Sequence, residues 1–283
     1  MKNFVYTYNS VTEFVNTLAK KHTNKVFTES TDGKDEYLSS LSDDEWRQKF
    51  TTTENFDAAQ KLLKFGDDKN MKKLSGAGLN TGKVNTTGTA PRPQIIHSVV
   101  GFCPNVPRFL MGAPACMNDV KRKIFKTSKV INIFYNLSVS WKVKTTTIAN
   151  TNAALVNALL ALEMNGYRVN LYVGEYSKCK DEYFLCAVKI KDSSTVLDKK
   201  KIAYPLVNPS FFRRHMFRAL ETSDVTEKGW SDNYGYPTGK EKTNQVKAAL
   251  KTKGINLDTY ISFNDISYMS SQDILNTCFA DHK

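Results

Sequence analysis

The residues best suited to chemistry in this sequence are Asn136, Ser138 and Ser140, which alternate with apolar residues directly after an apolar run. Their amide and hydroxyl oxygens are hard donors of the kind that Mg²⁺ prefers. None of the three is charged, and a divalent cation is held mainly by anionic oxygens, so affinity should be low without a carboxylate from elsewhere. In the alternative interpretations, the three residues end a strand and cap the next helix, or form a binding loop without metal.

The elements around this loop predict an α/β sheet. Residues 129–134 are an apolar run typical of a buried parallel strand. From Thr147 onward, apolar residues recur at helical spacing until Asn165-Gly166, a pair that commonly ends helices. Two more strands follow, at 167–176 and 183–191, with a polar turn between them. A crossover of this length favours parallel pairing of the first two strands.

This strand, loop and helix resemble the start of a von Willebrand factor A domain. In that family the loop reads Asp-x-Ser-x-Ser, and its aspartate and serines offer oxygens to Mg²⁺ or a similar cation. Asn136 stands at the aspartate position. The resemblance therefore implies an α/β fold with a mostly parallel central sheet flanked by helices, and a degenerate metal site.

Further helices and a strand are predicted towards the C-terminus. Residues 208–221 should form a core-packing helix with Arg213 and Arg214 away from its apolar face. After a second helix, residues 255–263 read as a strand that stops at Asn264-Asp265. Because loops at the carboxyl ends of strands converge in such sheets, Asp265 is expected near Ser138 and Ser140, where the three could assist a weak metal site.

The preceding part of the chain is expected to form a separate unit. Residues 1–94 are predicted to form a small helical extension whose helices are capped by Ser10 and Thr53. The extension ends in a flexible arm rich in Gly and Thr. Residues 95–283 would then form the α/β domain.

A second resemblance rests on the segments W-x3-F-T-x4-FDAAQKLLKFG, at 46–66, and NVPRFLMGAPACM, at 105–117. Together with the NLSVS loop they look like a family of uncharacterised proteins encoded mainly by bacteriophages and prophages, known as a domain of unknown function. The resemblance implies a phage setting and a von Willebrand A-like core. We expect the second segment to lie against the sheet as an ordered strap, in which Arg108 either pins the strap to a carboxylate or binds a ligand.

The net charge of +12 raises the prospect of nucleic-acid binding, since excess positive charge attracts phosphate. The basic residues are scattered through every predicted element, and the two densest runs suit solvated turns as well as phosphate contacts. These candidate runs are Lys121, Arg122, Lys123, Lys199, Lys200 and Lys201.

Several function classes lack support in the sequence. The chain has no apolar run long enough for a membrane span and no apolar signal region, so we expect a cytoplasmic protein. Its five cysteines form no C-x-x-C pair of the kind that zinc sites use. No G-x-S-x-G elbow is present, although a metal-dependent phosphodiesterase or nuclease could use dispersed acids that sequence does not reveal.

The sequence thus predicts a non-enzymatic, phage-type binding protein in an infected bacterial host or in the virion. Its partner would be a protein, either a phage assembly component or a host defence factor, bound through the strand-end face with Asn136, Ser138, Ser140 and Asp265. A nucleic-acid-associated protein is the alternative. Neither a cofactor nor a membrane is expected, and the oligomeric state is left open.

Overall fold

The computed structural model describes residues 2–19, 23–28, 51–76, 95–120, 129–140, 142–227, 229–230 and 237–279. It has an α/β fold in which helices flank a mixed sheet of five strands, while a second sheet has three strands. The strands are β1 (Lys2–Tyr8), β2 (Ile95–Ser98), β3 (Cys103–Pro104), β4 (Met117–Val120), β5 (Val130–Asn136), β6 (Arg168–Cys179), β7 (Glu182–Lys191) and β8 (Thr259–Ser262).

Eleven α-helices occur in the described part of the chain. They are α1 (Val11–Leu18), α2 (Lys25–Thr28), α3 (Phe56–Phe65), α4 (Asp68–Gly76), α5 (Val106–Leu110), α6 (Thr145–Met164), α7 (Lys199–Val207), α8 (Phe217–Glu221), α9 (Thr243–Lys251), α10 (Phe263–Ile266) and α11 (Ser271–Cys278). A π-helix (Phe211–Met216) leads into α8, and a 3₁₀ turn (Lys240–Lys242) precedes α9. None of the helices in this part is both long and apolar enough to cross a membrane.

The large sheet has the strand order β1-β7-β6-β5-β8. β5 pairs in parallel with both β6 and β8, and β1 pairs in parallel with β7, but β6 and β7 form an antiparallel hairpin. The predicted crossover from β5 through α6 to a parallel β6 is therefore confirmed. Because of the hairpin, the C-terminal ends of β1 and β7 lie at one end of the sheet, and the C-terminal ends of β5, β6 and β8 lie at the other.

Both faces of the large sheet are buried, which explains its apolar composition. Val169, Leu171 and Val173 of β6 belong to the larger hydrophobic cluster, which also contains residues of α1, α6, α7 and the π-helix. The intervening side chain of Tyr172 belongs to a second cluster, together with apolar residues of α9. This alternation follows from the two-residue period of a strand.

The N-terminal residues differ from the predicted helical extension. Lys2–Tyr8 forms a strand whose pairing with β7 makes it part of the large sheet. Helix α3 is capped by Asn55, whose side chain accepts a bond from the Ala58 N–H, and not by Thr53. Part of the expected flexible arm is helical, as α4, and residues 77–94 lie outside the described residues.

The segment expected to lie as a strap on the sheet, at 105–117, instead connects two strands of the small sheet. β2 and β3 both pair antiparallel with β4, and α5 lies between β3 and β4 in the chain. None of the described residues 95–120 belongs to either hydrophobic cluster. The apolar side chains of this segment are therefore not used to build the main core.

Candidate functional site

Asn136 is fully buried at the carboxyl end of β5, level with Gly174 of β6 and Ser262 of β8. Its Nδ2 donates to the Thr238 hydroxyl at 2.6 Å and to the Tyr260 hydroxyl at 3.1 Å, and its Oδ1 accepts from the Ser138 N–H at 3.1 Å. A carboxylate could accept but not donate, since it carries no hydrogen. The Thr238 and Tyr260 hydroxyls could rotate to donate to a carboxylate, so the amide differs from an aspartate mainly in filling this buried position without a charge.

The serines of the same loop also have partners within the protein. Ser138 is buried, and its Oγ accepts from the Thr238 N–H at 3.4 Å. Ser140 is half-buried, and its Oγ accepts from the Lys142 N–H at 3.4 Å. Neither residue caps α6, because that helix begins at Thr145 after Lys144.

Asp265 lies at the same end of the sheet, because it follows Ser262, the register partner of Asn136, but among the described residues no hydrogen bond joins it to Ser138 or Ser140. Its Oδ2 accepts from the Ser262 hydroxyl at 2.7 Å, and its Oδ1 accepts from the Lys240 N–H at 3.4 Å. Among the described residues, no group of three or more His, Cys, Asp and Glu side chains is placed to hold a metal ion. A neutral amide and hydrogen-bonded hydroxyls do not fit a hard divalent cation, which favours several anionic oxygens.

A test of this loop is the substitution Asn136→Asp. We expect it to lower the free energy of unfolding at pH 7 by about 2 kcal/mol, because a buried carboxylate is desolvated and the Thr238 and Tyr260 hydroxyls must reorient to donate to it. Denaturant titration measures the change, and Asn264→Asp at an exposed position is the matched control. Unchanged stability, or a gain of Mg²⁺ binding that the unaltered protein does not show, would contradict our interpretation of the loop.

Arg108 is half-buried within the small sheet unit. Its Nε donates to the carbonyl oxygen of Ala115 at 3.1 Å, rather than to the carboxylate that we expected. The bond closes the turn between α5 and β4, so Arg108 pins its own segment. The predicted basic run Lys121, Arg122 and Lys123 lies outside the described residues.

The second basic run begins helix α7. Lys199 is half-buried, while Lys200 and Lys201 are exposed. The Lys200 ammonium lies 3.2 Å from a carboxylate oxygen of Asp68, an ion pair between two exposed side chains. Exposed pairs of this kind contribute little stability.

Two buried arginines were missed by the sequence analysis. Arg213 and Arg214, expected away from the apolar face, are only 3% and 1% exposed in the π-helix. Arg213 donates to the carbonyl oxygen of Ser140 at 3.5 Å, and burial lowers its pKa to about 10. Arg214 donates to the Thr53 hydroxyl at 2.8 Å and to the Thr51 hydroxyl at 3.0 Å. The apolar residues on every side of this helix, Phe211, Phe212, Met216 and Phe217, were the available sign of complete burial.

Fully buried titratable groups lie on this helix and on β6. His215 is fully buried, its Nδ1 lies 3.2 Å from the Tyr204 hydroxyl, and burial lowers its pKa to about 3. Glu175 of β6 is also fully buried, and burial raises its pKa to about 7. One Glu175 oxygen accepts from the Ser177 hydroxyl at 2.5 Å, whereas the other has no hydrogen-bond partner in the described structure.

The small sheet unit carries a concentrated set of exposed apolar side chains. Of the 13 large hydrophobic side chains exposed among the described residues, eight lie in residues 95–120. We call these eight the apolar surface: Ile95, Val99, Val100, Phe102, Val106, Phe109, Leu110 and Met111. Single exposed apolar residues are ordinary, but a cluster of this size typically marks an interaction site.

Comparison with known proteins gives one match. A family model described as Domain of unknown function (DUF7192) matches residues 1–278. No curated protein and no solved structure matches the chain significantly.

Proposed function

Because the chain belongs to the family Domain of unknown function (DUF7192), whose description names no activity, we propose from the geometry that it is a non-enzymatic binding protein that engages a protein partner. The proposal places the contact on the apolar surface of residues 95–120. One observation carries it: eight large apolar side chains are exposed together on a unit that contributes nothing to the main hydrophobic clusters.

The chemistry of the unit favours a protein partner with an apolar groove or helix face. Residues 95–120 contain only two charged side chains, Arg108 and Asp119, in a chain that is 24% charged. Protein interfaces are depleted in charge at their centre and enriched in aromatic residues, Met and Arg. A nucleic acid would instead require several lysines or arginines to contact phosphates.

Hydrogen bonds hold the unit in a defined shape, which supports specific recognition. The Phe102 N–H donates to the Asn118 carbonyl at 3.0 Å, and the Asn105 N–H donates to the Cys116 carbonyl at 2.7 Å. The side chains of Asn105 and Asn118 are 3.2 Å apart, with the first donating to the second. A surface that is ordered before binding loses less conformational entropy when a partner arrives.

The strand-end face was the surface first expected from the sequence. In the structure, Asn136 and Ser138 are buried, so a partner at this edge would touch mainly Ser140 and Asp265, which are half-exposed. This difference in exposure is why the proposal favours the apolar surface over that face.

Two finer parts of the proposal rest on the sequence resemblances. A von Willebrand A-like core is supported by the order β7-β6-β5-β8 and by the crossover helix α6 between parallel strands. A phage setting is supported by the NVPRFLMGAPACM segment, at 105–117, which contains half of the apolar surface. We therefore propose a phage assembly component or a host defence factor as the partner, met in the host cytoplasm or in the virion.

The test first captures partner proteins from infected cells and then measures their binding with purified components. Proteins retained by the full chain from phage-infected cells would be identified, purified and titrated against the triple variant Phe109→Ser, Leu110→Ser, Met111→Ser. We expect its Kd to rise about 100-fold, since the three substitutions together should remove about 3 kcal/mol of apolar burial and each step of about 1.4 kcal/mol is tenfold in Kd. A control variant with Met164→Ser, Val196→Ser and Tyr268→Ser removes exposed apolar residues elsewhere and should bind within about twofold of the original.

Other outcomes would overturn the proposal. A purified partner that binds the triple variant and the original equally would remove the apolar surface from recognition. Self-association that the triple variant abolishes would show a second copy as the occupant, and flotation with lipid vesicles would show a membrane. Binding to RNA or DNA that weakens steeply between about 50 and 200 mM salt would favour the nucleic-acid alternative.

A further inference from the structure

The parallel strands β1 and β7 have their C-terminal ends side by side, at the opposite end of the sheet from Asn136. Helix α1 follows β1 after Asn9 and Ser10, and α7 follows β7 after a short turn. Ligands of α/β sheets bind outside the carboxyl ends of strands, where the N-termini of the following helices open. This end of the sheet is therefore a second position at which a ligand could bind.

A cleft of about 480 Å³ lies there, between the start of α1, the end of α3, the end of β7 and the start of α7. Its volume falls within the range of roughly 300–1,000 Å³ that is usual for small-molecule sites. Its charged lining residues are five lysines, Lys64, Lys189, Lys191, Lys200 and Lys201, and two aspartates, Asp192 and Asp198. The cleft shares no residue with the apolar surface.

Three of these lysines are already paired with carboxylates. Lys189 lies 3.1 Å from Asp192, Lys191 lies 2.5 Å from Glu163, and Lys200 lies 3.2 Å from Asp68. Lys64 and Lys201 have no carboxylate within ion-pair distance among the residues that the structure describes. Two ammonium groups thus remain to meet an anion in the cleft.

Backbone donors add to these charges at both helix starts. The Ser10 side chain accepts from the Glu13 N–H, and the Asp198 side chain accepts from the Lys200 N–H. Each cap satisfies one first-turn N–H, whereas a helix leaves four without an intrahelical partner. The cap of α7 is itself a carboxylate, and Glu13 lies in the first turn of α1, so these helix ends supply backbone donors while the positive charge of the cleft comes from the lysines.

The walls of the cleft also offer apolar contacts. Val11, Val15 and Leu63 line it, and the ring of Phe65, which is 74% exposed, stands at its border. An anion with an organic group beside it could use the lysines and the apolar wall together. We propose that this cleft binds a small phosphate-bearing ligand, with the phosphate at Lys64 and Lys201 and the organic part against Phe65.

Calorimetric titration of the full chain with inorganic pyrophosphate and with adenosine diphosphate tests the proposal. We expect saturable binding of both probes, and binding of the nucleotide should be tighter because it also contacts Phe65. The double variant Lys64→Glu, Lys201→Glu should raise both Kd values about tenfold or more, since charge-assisted bonds are lost and repulsion is introduced. Circular dichroism and thermal unfolding confirm that each variant is folded.

The matched control is Lys251→Glu, Lys253→Glu, which makes the same change of charge at two exposed lysines outside the cleft. It should change both Kd values by less than about twofold. The proposal is overturned if neither probe gives saturable heat, or if the control weakens binding as much as the cleft variant. It is also overturned if a single-stranded oligonucleotide binds through Lys64 and Lys201 while pyrophosphate does not bind.

Discussion

Replacing Arg214 by alanine should lower the free energy of unfolding by about 3 kcal/mol, one of the two largest effects that we expect in this protein. The substitution removes a side chain that is 1% exposed and leaves a cavity. It also removes the Arg214 bonds to the hydroxyls of Thr51 and Thr53, and although Thr53 keeps its bond to Ser210, a buried polar group that loses a partner costs about 1–3 kcal/mol. Denaturant titration followed by circular dichroism measures the loss.

The reason for so large an effect is the segment that Arg214 holds. The backbone of Thr52 has a φ of 61°, a left-handed conformation that is unfavourable for a β-branched residue. Bonds on both sides keep it there: the Thr52 hydroxyl donates to Asn208 at 2.7 Å, and Arg214 also donates to the Thr53 carbonyl at 2.8 Å. Without Arg214, we expect residues 51–53 to detach from the π-helix.

Two further variants separate the geometry of Arg214 from its charge. Arg214→Lys keeps the charge but lacks the planar fork that reaches both threonines, so it should lose most of the same stability. Arg168→Ala makes the same arginine-to-alanine change at an exposed position. Its free energy of unfolding should stay within about 0.5 kcal/mol of that of the unaltered protein. If Arg214→Ala were as mild as Arg168→Ala, the tether would have no energetic role.

Glu175→Gln should change how stability depends on pH. Burial raises the pKa of Glu175 to about 7 from an ordinary value of 4.5, so the folded state holds the proton more tightly than the unfolded state does. The stability linked to this proton is complete below about pH 4.5 and is lost as the pH rises through 7. A pKa shift of this size corresponds to about 3 kcal/mol of unfolding free energy. Glutamine has no titrating proton, so the variant does not lose this stability as the pH rises.

The measurement is the difference in unfolding free energy between the Glu175→Gln variant and the unaltered protein from pH 4.5 to about 8. As the pH rises, the unfolding free energy of the variant should increase by about 3 kcal/mol relative to that of the unaltered protein. Glu54→Gln, at an exposed position, is the matched control and should leave the pH profile of the unaltered protein in place. A constant difference across this range would show that Glu175 is ionised in the folded protein.

His215 gives the opposite slope and must be separated from Glu175. Burial lowers the His215 pKa to about 3 from 6.5, so the folded state disfavours its protonation. Its contribution to stability is present above pH 6.5 and is lost as the pH falls towards 3. Comparison of Glu175→Gln with the unaltered protein cancels this term, because both contain His215.

The elements that sequence reasoning predicted correctly are those in which one pattern is strong. β5 and α6 were found because an apolar run is followed by helical periodicity that stops at Asn165-Gly166, and Gly166 has a φ of 87° as such helix ends require. The general geometry of α/β sheets accounts for the end of the sheet at which Asp265 lies, while its proximity to Ser138 and Ser140 stays a prediction. These predictions needed no knowledge of long-range contacts.

The errors arose where a contact between distant segments decides the structure. Polarity suggested that Arg213 and Arg214 would avoid the core, but bonds from Arg214 to Thr51 and Thr53, far away in the chain, make burial favourable. The strand Lys2–Tyr8 was missed because its partner, β7, lies at 182–191. Its Phe, Val and Tyr residues were a strand signal, but sequence alone did not identify the edge to which they would pair.

The separation between residues 95–120 and the main hydrophobic clusters affects how this protein could change over generations. Most substitutions in a core endanger folding, since natural proteins lie only slightly above the stability that they need. Substitutions at Phe109, Leu110 or Met111 touch no part of that core, so under the proposed function they could alter partner choice while the α/β body stays intact. A lineage under pressure to follow a changing partner could therefore vary this surface without first acquiring compensating mutations.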